Sequence, residues 1–135
     1  MTIQSSSKGF HITLWVLQAL LAVMFLMAGF MKLSQPIEEL ARTLPWVTSV
    51  SAGTVRFIGL SELLGALGLL LPALLRIKPG LTIVAALGLA TVQILALGFH
   101  VSRGEYAMIG MNLLFVAVAV FIAWGRMKKA PIYAR

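Results

Sequence analysis

RFIGLSELLGALGLLLP, residues 56–72, has the composition of a membrane-spanning helix with an acidic residue inside it, and this combination indicates the fold class. Apart from Glu62, the stretch that follows Arg56 contains no charged side chain. An apolar run of about 18 residues is long enough to cross the hydrocarbon core of a bilayer. A carboxylate there costs free energy unless it faces the interior of a helix bundle or a water-filled cavity. The stretch therefore predicts a bundle of membrane helices with a polar site around Glu62.

Few charged residues interrupt the rest of the chain, which is 135 residues long. Charged side chains make up 11% of it and apolar ones 60%, whereas a soluble domain is about a quarter charged. A soluble protein of this size could not hide four apolar runs of this length in one core. We therefore expect an all-α fold: one integral membrane domain over residues 1–135, built as an antiparallel bundle of four transmembrane helices. The predicted helices cover about residues 11–32, 55–75, 80–99 and 106–126.

The connections between the predicted helices are short, with one exception. Residues 76–79 and 100–105 leave room only for tight turns, so neighbouring helices are antiparallel. The longer connection, 33–54, has apolar residues at helical spacing in its first half, which Pro45 ends. We expect a short amphipathic helix on the outer membrane surface between the first two transmembrane helices. This connection is either a loop packed for burial alone or a lid over the residues that the second helix presents.

Positive charge is concentrated at one end of the predicted bundle. The net charge is +7, and the segments at the end that holds both termini contain seven Lys and Arg and no acidic residue. The positive-inside rule therefore predicts that both termini are cytoplasmic. These charges are expected to contact lipid headgroups, and no folded basic surface remains for nucleic acid, which we exclude as a partner. The first apolar run is longer than that of a signal peptide, so we expect this helix to be retained.

Three polar side chains on different helices fall at about the same depth in the membrane. With a rise of 1.5 Å per residue, Glu62 and Asn112 lie roughly 9 Å below the outer boundary and Gln93 roughly 10 Å below it. Gly29 of the first helix leaves space at about this level. A shallower ring of charged and titratable residues is expected above them. It consists of Lys32, Arg56, His100, Arg103 and Glu105.

These residues predict a polar cavity that opens outward around Glu62. Its predicted lining, besides Glu62, is Lys32, Arg56, Ser61, Gln93, His100, Glu105 and Asn112. Lys32 and His100, on other helices, are both candidate partners for the carboxylate of Glu62. Arg56 lies on the same helix about 120° away, so that only its long side chain could reach. Without a partner, Glu62 would be suited to carry a proton. Alternatively, these side chains only join helices by hydrogen bonds; the set in this case is Ser61, Glu62, Gln93 and Asn112.

The residue types in the chain exclude several kinds of redox site. There is no cysteine, so the chain has no disulfide, iron–sulfur cluster or thiolate metal site of its own. A haem held by two histidines is excluded because His11 and His100 are predicted at opposite membrane surfaces. The spacing of His100, Glu105 and Glu62 gives no support to a metal site, and we expect none.

Four segments give the sequence a family resemblance. They are AGFMKL at 28–33, RFIGLSELLGALGLLLP at 56–72, FHVSRGE at 99–105 and Asn112 in the last helix. With these segments in this order, the chain resembles the DoxX-like family of small four-helix membrane proteins from about residue 14 to residue 126. The resemblance implies a multi-pass protein of the bacterial inner membrane. It also implies that the polar positions that mark the family are Lys32, Arg56, Glu62 and His100.

Members of the wider family are described as the membrane subunit of a thiosulfate:quinone oxidoreductase, or as membrane partners of redox and detoxification enzymes. The resemblance therefore implies a quinone-linked redox membrane subunit, in which a quinone ring occupies the cavity and Glu62 handles its proton. Two alternatives remain open: a scaffold that anchors a partner enzyme, and a small proton-coupled transporter. The expected partners are the lipid bilayer and an enzyme, and helix faces rich in glycine and alanine permit a homodimer.

Overall fold

The computed structural model describes the backbone of residues 3–135 and the side chains from Lys8 onward. Within these residues all regular structure is helical. Five α-helices follow one another along the chain: α1 (Ile3–Ser34), α2 (Ile37–Thr43), α3 (Ala52–Leu75), α4 (Gly80–Ser102) and α5 (Ile109–Trp124). Three shorter helical segments adjoin them: 3₁₀ turns at Pro45–Ser49 and Tyr106–Met108, and a π-helical turn at Gly125–Lys129.

Four helical stretches are long and apolar enough to cross a membrane, as the sequence predicts. They are Lys8–Ser34, Ala52–Leu75, Gly80–Ser102 and Tyr106–Lys129. The short helix α2 lies between the first and the second of them. The prediction of an all-helical, four-span bundle is therefore confirmed.

The spans pack so that α3 lies between α1 and α4, while α5 packs against α4. α1 and α5 also meet, through aromatic pairs such as Phe10 with Phe121 and Phe25 with Phe115, whose ring centroids are 5.5 and 5.1 Å apart. One end of the bundle carries α2 and the turn at 103–105, and we call it the α2 end. The other carries the turn at 76–79 and the C-terminal segment, and we call it the termini end.

Three of the four predicted helices extend beyond the boundaries predicted from hydropathy, whereas α5 itself lies within them. α3 begins at Ala52 rather than near 55, because Ser51 caps it: the Ser51 hydroxyl oxygen accepts a hydrogen bond from the Thr54 backbone N–H at 3.1 Å. α1 and α4 likewise continue to Ser34 and Ser102. Apolar patterning marks the part of a helix that lies in hydrocarbon, whereas its backbone hydrogen bonds continue into the polar interface.

The segment between α1 and α3, residues 35–51, is fastened by a small apolar core of its own. Leu40, Val47 and Val55 are each at most 1% exposed and pack together there. We call this segment the α1–α3 link. It includes α2, where Pro36 occupies the position before the first helical residue. The link is therefore folded against the α2 end of the bundle.

α1 and α3 approach until their backbones touch at Gly29 and Gly59. A Cβ atom added to Gly29 would lie 2.7 Å from the carbonyl oxygen of Gly59 and 2.8 Å from the backbone nitrogen of Leu63. Side chains do not tolerate such distances, so only glycine fits at this crossing. Lys32 and Glu62 each follow a crossing glycine by three residues, or about one helical turn. The crossing therefore sets the separation of these two charged side chains.

The turn between α3 and α4 contains two residues with left-handed backbone conformation. Arg76 has φ 56° and Lys78 has φ 46°. The C-terminal segment returns to this turn, because the Arg135 backbone N–H donates to the Arg76 carbonyl oxygen at 3.1 Å and Arg76 Nε donates to the Tyr133 carbonyl oxygen at 2.8 Å. The termini end is thus covered by the last residues of the chain.

Candidate functional site

A cavity of about 470 Å³ lies among the four spans, in the half of the bundle nearer the α2 end. This volume is in the range of roughly 300–1,000 Å³ found for small-molecule sites. Most of its wall is apolar, and the larger members are Met24, Phe25, Phe57, Ile58, Leu95, Phe99, Met108, Met111 and Phe115. Phe57 and Leu95 are both 69% exposed, so the wall reaches the outer surface of the bundle and the cavity is not sealed.

The buried carboxylate of Glu62 is paired with Lys32. The ammonium nitrogen of Lys32, on α1, donates a hydrogen bond to Glu62 Oε1, on α3, over 2.7 Å. Both side chains are buried and both line the cavity. Of the partners left open by the sequence, Lys32 is therefore the one that the fold supplies. Removing either partner would leave a buried, uncompensated charge.

A second polar pair joins the other two spans. Asn112 Nδ2, on α5, donates to Gln93 Oε1, on α4, at 2.7 Å, and both residues line the same cavity. Among the residues with described side chains, nothing donates a hydrogen bond to the buried Asn112 Oδ1. Gln93 and Asn112, which were predicted at the same depth, are therefore in direct contact. The Oδ1 atom of Asn112 remains an unpaired acceptor among the described side chains at the cavity.

His100 forms the third polar part of the cavity wall, and Glu105, which does not itself line the cavity, holds it in place. Its Nδ1 lies 2.9 Å from Glu105 Oε1, and its ring meets that of Trp46 edge to face. Arg103 donates to both oxygens of Glu105, at 3.1 and 3.2 Å. These hydrogen bonds, first from Arg103 and then from His100, hold the pKa of the Glu105 carboxyl below its usual value. Glu105 therefore supports the cavity wall through His100.

Two predicted cavity residues have partners outside the cavity. Arg56 Nη1 donates to the carbonyl oxygens of Lys32 and Gln35, at 2.8 and 2.6 Å, so its guanidinium caps the C-terminal end of α1 and does not contact Glu62. Ser61 does line the cavity, but its hydroxyl donates to the Phe57 carbonyl oxygen of its own helix. Arg56 therefore positions the Lys32 backbone, and Ser61 does not link helices.

Hydrogen-bonding capacity remains available at the cavity wall. A lysine ammonium has three N–H donors. Among the residues with described side chains, the ammonium of Lys32 has one acceptor, Glu62 Oε1. Asn112 Oδ1 is a free acceptor, as described above. The cavity can thus hold an apolar molecule that carries polar oxygens. In the described residues, no group of three or more His, Cys, Asp or Glu side chains is arranged to hold a metal ion.

A second buried polar cluster, at the termini end, was missed by the sequence reasoning. Arg126 is 3% exposed, and its Nε donates to Gln18 Oε1 at 2.6 Å. Arg126 Nη1 donates to the carbonyl oxygen of Ala130 at 2.9 Å and lies 2.7 Å from His11 Nδ1. Gln18 Nε2 in turn donates to the Leu69 carbonyl oxygen. The available signal was Gln18, a single amide inside an apolar run.

The fold and the cavity together define a class: an integral membrane protein of four spans with a polar cluster in an otherwise apolar cavity. The family model for the DoxX-like family matches residues 16–122, which is most of the chain. The chain therefore belongs to the DoxX-like family. No curated protein and no solved structure matches it.

Proposed function

We propose that this protein is a quinone-binding membrane subunit of a redox system in the bacterial inner membrane, with both termini in the cytoplasm. The observation that carries the proposal is an apolar cavity, open between spans, whose polar wall holds the buried Lys32–Glu62 pair, with N–H groups of the Lys32 ammonium still available as donors. The cytoplasmic placement of the termini rests on the seven basic residues of that end. The electrons are exchanged with a partner redox enzyme.

The residues present fit a quinone in both of its stable redox forms. A quinone carbonyl oxygen accepts hydrogen bonds, and the spare N–H groups of Lys32 can donate them. A quinol hydroxyl donates, and the free Oδ1 of Asn112 can accept. The aromatic and methionine side chains around them bury the ring. The same wall therefore serves both forms without rearrangement of the helices.

The Lys32–Glu62 pair is proposed to hold the proton that moves when the quinone changes oxidation state. When bound, a quinone supplies reversible two-electron, two-proton chemistry. The Glu62 carboxylate can accept a proton that leaves a quinol hydroxyl, and Lys32 stabilises the carboxylate until then. Trp46 and Leu44 of the α1–α3 link also line the cavity, and their proposed role is to limit the access of water to the pair.

Binding can be tested through Trp46, which lines the cavity. In a variant carrying Trp15→Phe and Trp124→Phe, Trp46 is the only tryptophan of the chain. Decylubiquinone is expected to quench its fluorescence saturably in nanodiscs. Lys32→Met in this background is expected to weaken binding about tenfold, because a hydrogen bond from a charged donor is lost. Glu62→Gln is expected to bind within a few-fold of the parent but to abolish quinone-dependent electron transfer with the partner enzyme.

The matched control is the exposed ion pair of Arg42 and Glu39, whose closest N···O distance is 3.6 Å. Arg42→Met removes a surface cation at the same end of the bundle and is expected to leave quenching unchanged. Linear, unsaturable quenching, or equal binding by the Lys32→Met and Arg42→Met variants, would refute a quinone site at this wall. Stable capture of a partner enzyme in the absence of any quinone binding would favour the anchoring alternative.

A further inference from the structure

A second cavity, of about 200 Å³, lies at the termini end, at the opposite end of the bundle from the cavity around Glu62. It is formed by the start of α4, the π-helical turn after α5 and the C-terminal segment. Arg126 and Thr82 both line it, and they are 3% and 1% exposed. We call it the Arg126 pocket.

Two buried donors in this pocket lack a partner. Arg126 Nη2 and Thr82 Oγ1 have no hydrogen-bond partner among the residues with described side chains. Buried polar groups are nearly always paired, because an unpaired one costs its full desolvation free energy. Two such groups in one small cavity therefore point to an acceptor that the side chains described from Lys8 onward do not provide.

The charge of Arg126 is also uncompensated by acidic side chains. The groups that bond its guanidinium are an amide, an imidazole and a carbonyl, all of them neutral acceptors. The chain has four acidic residues, and all belong to segments at the α2 end. They are Glu38, Glu39, Glu62 and Glu105. A guanidinium buried this deeply is normally paired with an anion.

The surroundings of the pocket favour a phosphate as that anion. Gly80, the first residue of the 23-residue helix α4, lines the pocket, so the positive end of the helix dipole is directed at it. Trp15 lies under the Arg126 guanidinium and Trp124 lies on the neighbouring turn, and tryptophans of membrane proteins concentrate at headgroup depth. Basic pockets between membrane helices at that depth are suited to phosphate headgroups.

We propose that the Arg126 pocket binds the phosphate group of an anionic phospholipid. The phosphate oxygens accept hydrogen bonds from Arg126 Nη2 and Thr82 Oγ1. Guanidinium groups match the geometry of phosphate oxygens, and the threonine hydroxyl supplies a second donor. The π-helical turn contributes directly, since its i+5 hydrogen bond from Ala130 N to Gly125 O keeps Arg126 in the turn that faces the pocket. The site is independent of the quinone cavity, which lies in the other half of the bundle.

Native mass spectrometry of the delipidated full-length protein tests the proposal. Three probes are titrated separately: dioleoylphosphatidylglycerol, dioleoylglycerol, which lacks the phosphate, and inorganic phosphate. Wild-type protein is expected to retain one phosphatidylglycerol per chain at concentrations where dioleoylglycerol does not bind. Thr82→Val removes one donor at nearly constant shape and is expected to weaken phosphatidylglycerol binding about tenfold. Lys128→Gln, an exposed basic residue of the same turn, is expected to change it by less than about twofold.

The outcomes separate the sources of the phosphate. If inorganic phosphate binds wild-type protein but not Thr82→Val, while the lipid binds neither, the site stands with a soluble ligand. Arg126→Gln is expected to abolish binding of either source, and should it fail to fold, Thr82→Val still decides. Equal binding of the phospholipid and dioleoylglycerol, or equal phospholipid affinity in Thr82→Val and Lys128→Gln, would overturn the proposal.

Discussion

Replacing Gly29 by alanine tests the close crossing that brings Lys32 to Glu62. The new Cβ would stand 2.7 Å from the Gly59 carbonyl oxygen and 2.8 Å from the Leu63 backbone nitrogen. Both neighbours are backbone atoms, so no side chain can rotate away. To restore an ordinary contact of 3.4 Å, the two helices must separate by about 0.7 Å at the crossing. Lys32 packs at the same crossing, since a Cβ added to Gly59 would lie 2.7 Å from Lys32 Cβ, so the separation of the helices is expected to lengthen its 2.7 Å hydrogen bond to Glu62.

The expected cost of Gly29→Ala is about 1–3 kcal/mol of unfolding free energy, the usual range for overpacking a tight contact. Gly88→Ala is the matched control, since a Cβ at Gly88 meets nothing within 4 Å. At that exposed position within α4, alanine is expected to stabilise the helix by about 0.5–1 kcal/mol. The two substitutions add the same methyl group within a span and are expected to have opposite effects.

Unfolding in mixed micelles of dodecyl maltoside and SDS, followed by circular dichroism, measures both variants. A double-mutant cycle of Lys32→Met and Glu62→Gln, repeated in the Gly29→Ala background, then measures the ion pair itself. Its coupling energy is expected to fall when the helices separate. The reasoning is refuted if Gly29→Ala is as stable as Gly88→Ala, or if the coupling of the pair is unchanged by Gly29→Ala.

Three further predictions follow from the polar and strained positions. Lys32→Met alone leaves a buried carboxylate and should lower the unfolding free energy by about 3 kcal/mol in the same micelle assay. Adding Glu62→Met should recover most of this loss, and no recovery would contradict the pairing of the two residues. Lys78→Gly relieves the strain of a left-handed backbone conformation (φ 46°) and should stabilise the protein by about 1 kcal/mol. A melting temperature below that of wild type would contradict this prediction. The folded-state pKa of Glu105 lies below its ordinary value of 4.5, so its stabilising effect is present above that pH and is lost as the pH falls through the folded pKa. The melting temperature of Glu105→Gln should accordingly be below that of wild type at pH 6 and approach it as the pH falls below the folded pKa of Glu105. A difference that does not depend on pH would exclude the hydrogen bonds from Arg103 as its cause.

The spans and the depth of the polar residues could be predicted from the sequence. Both depend on distance along a helix, which hydropathy and a fixed rise per residue define. For this reason Gln93 and Asn112, placed at one level by counting residues, form a hydrogen bond in the structure. The exact ends of the helices were harder to predict, because the serine cap at Ser51 lies beyond the apolar run that predicts α3.

The partner of Glu62 could not be chosen from the sequence, because it depends on how each helix is rotated against its neighbours. That rotation is fixed by the contact of Gly29 with Gly59. The contact depends on how the surfaces of α1 and α3 fit together, which the hydropathy pattern of either helix alone does not show. The role of Arg126 was missed for a related reason. A basic residue at the end of a span usually reflects topology, and only its burial beside Gln18 distinguishes it from the exposed lysines that follow.

The α1–α3 link is folded against the α2 end of the bundle by the packed side chains of Leu40, Val47 and Val55. Phe57 and Leu95 of the cavity wall are exposed on the surface of the spans that acyl chains contact, so we expect compounds dissolved in the membrane to enter beside them. Occupancy of the cavity would then follow the mole fraction of a compound in the membrane. Dissociation constants measured at different detergent or lipid concentrations would agree only after correction for partitioning.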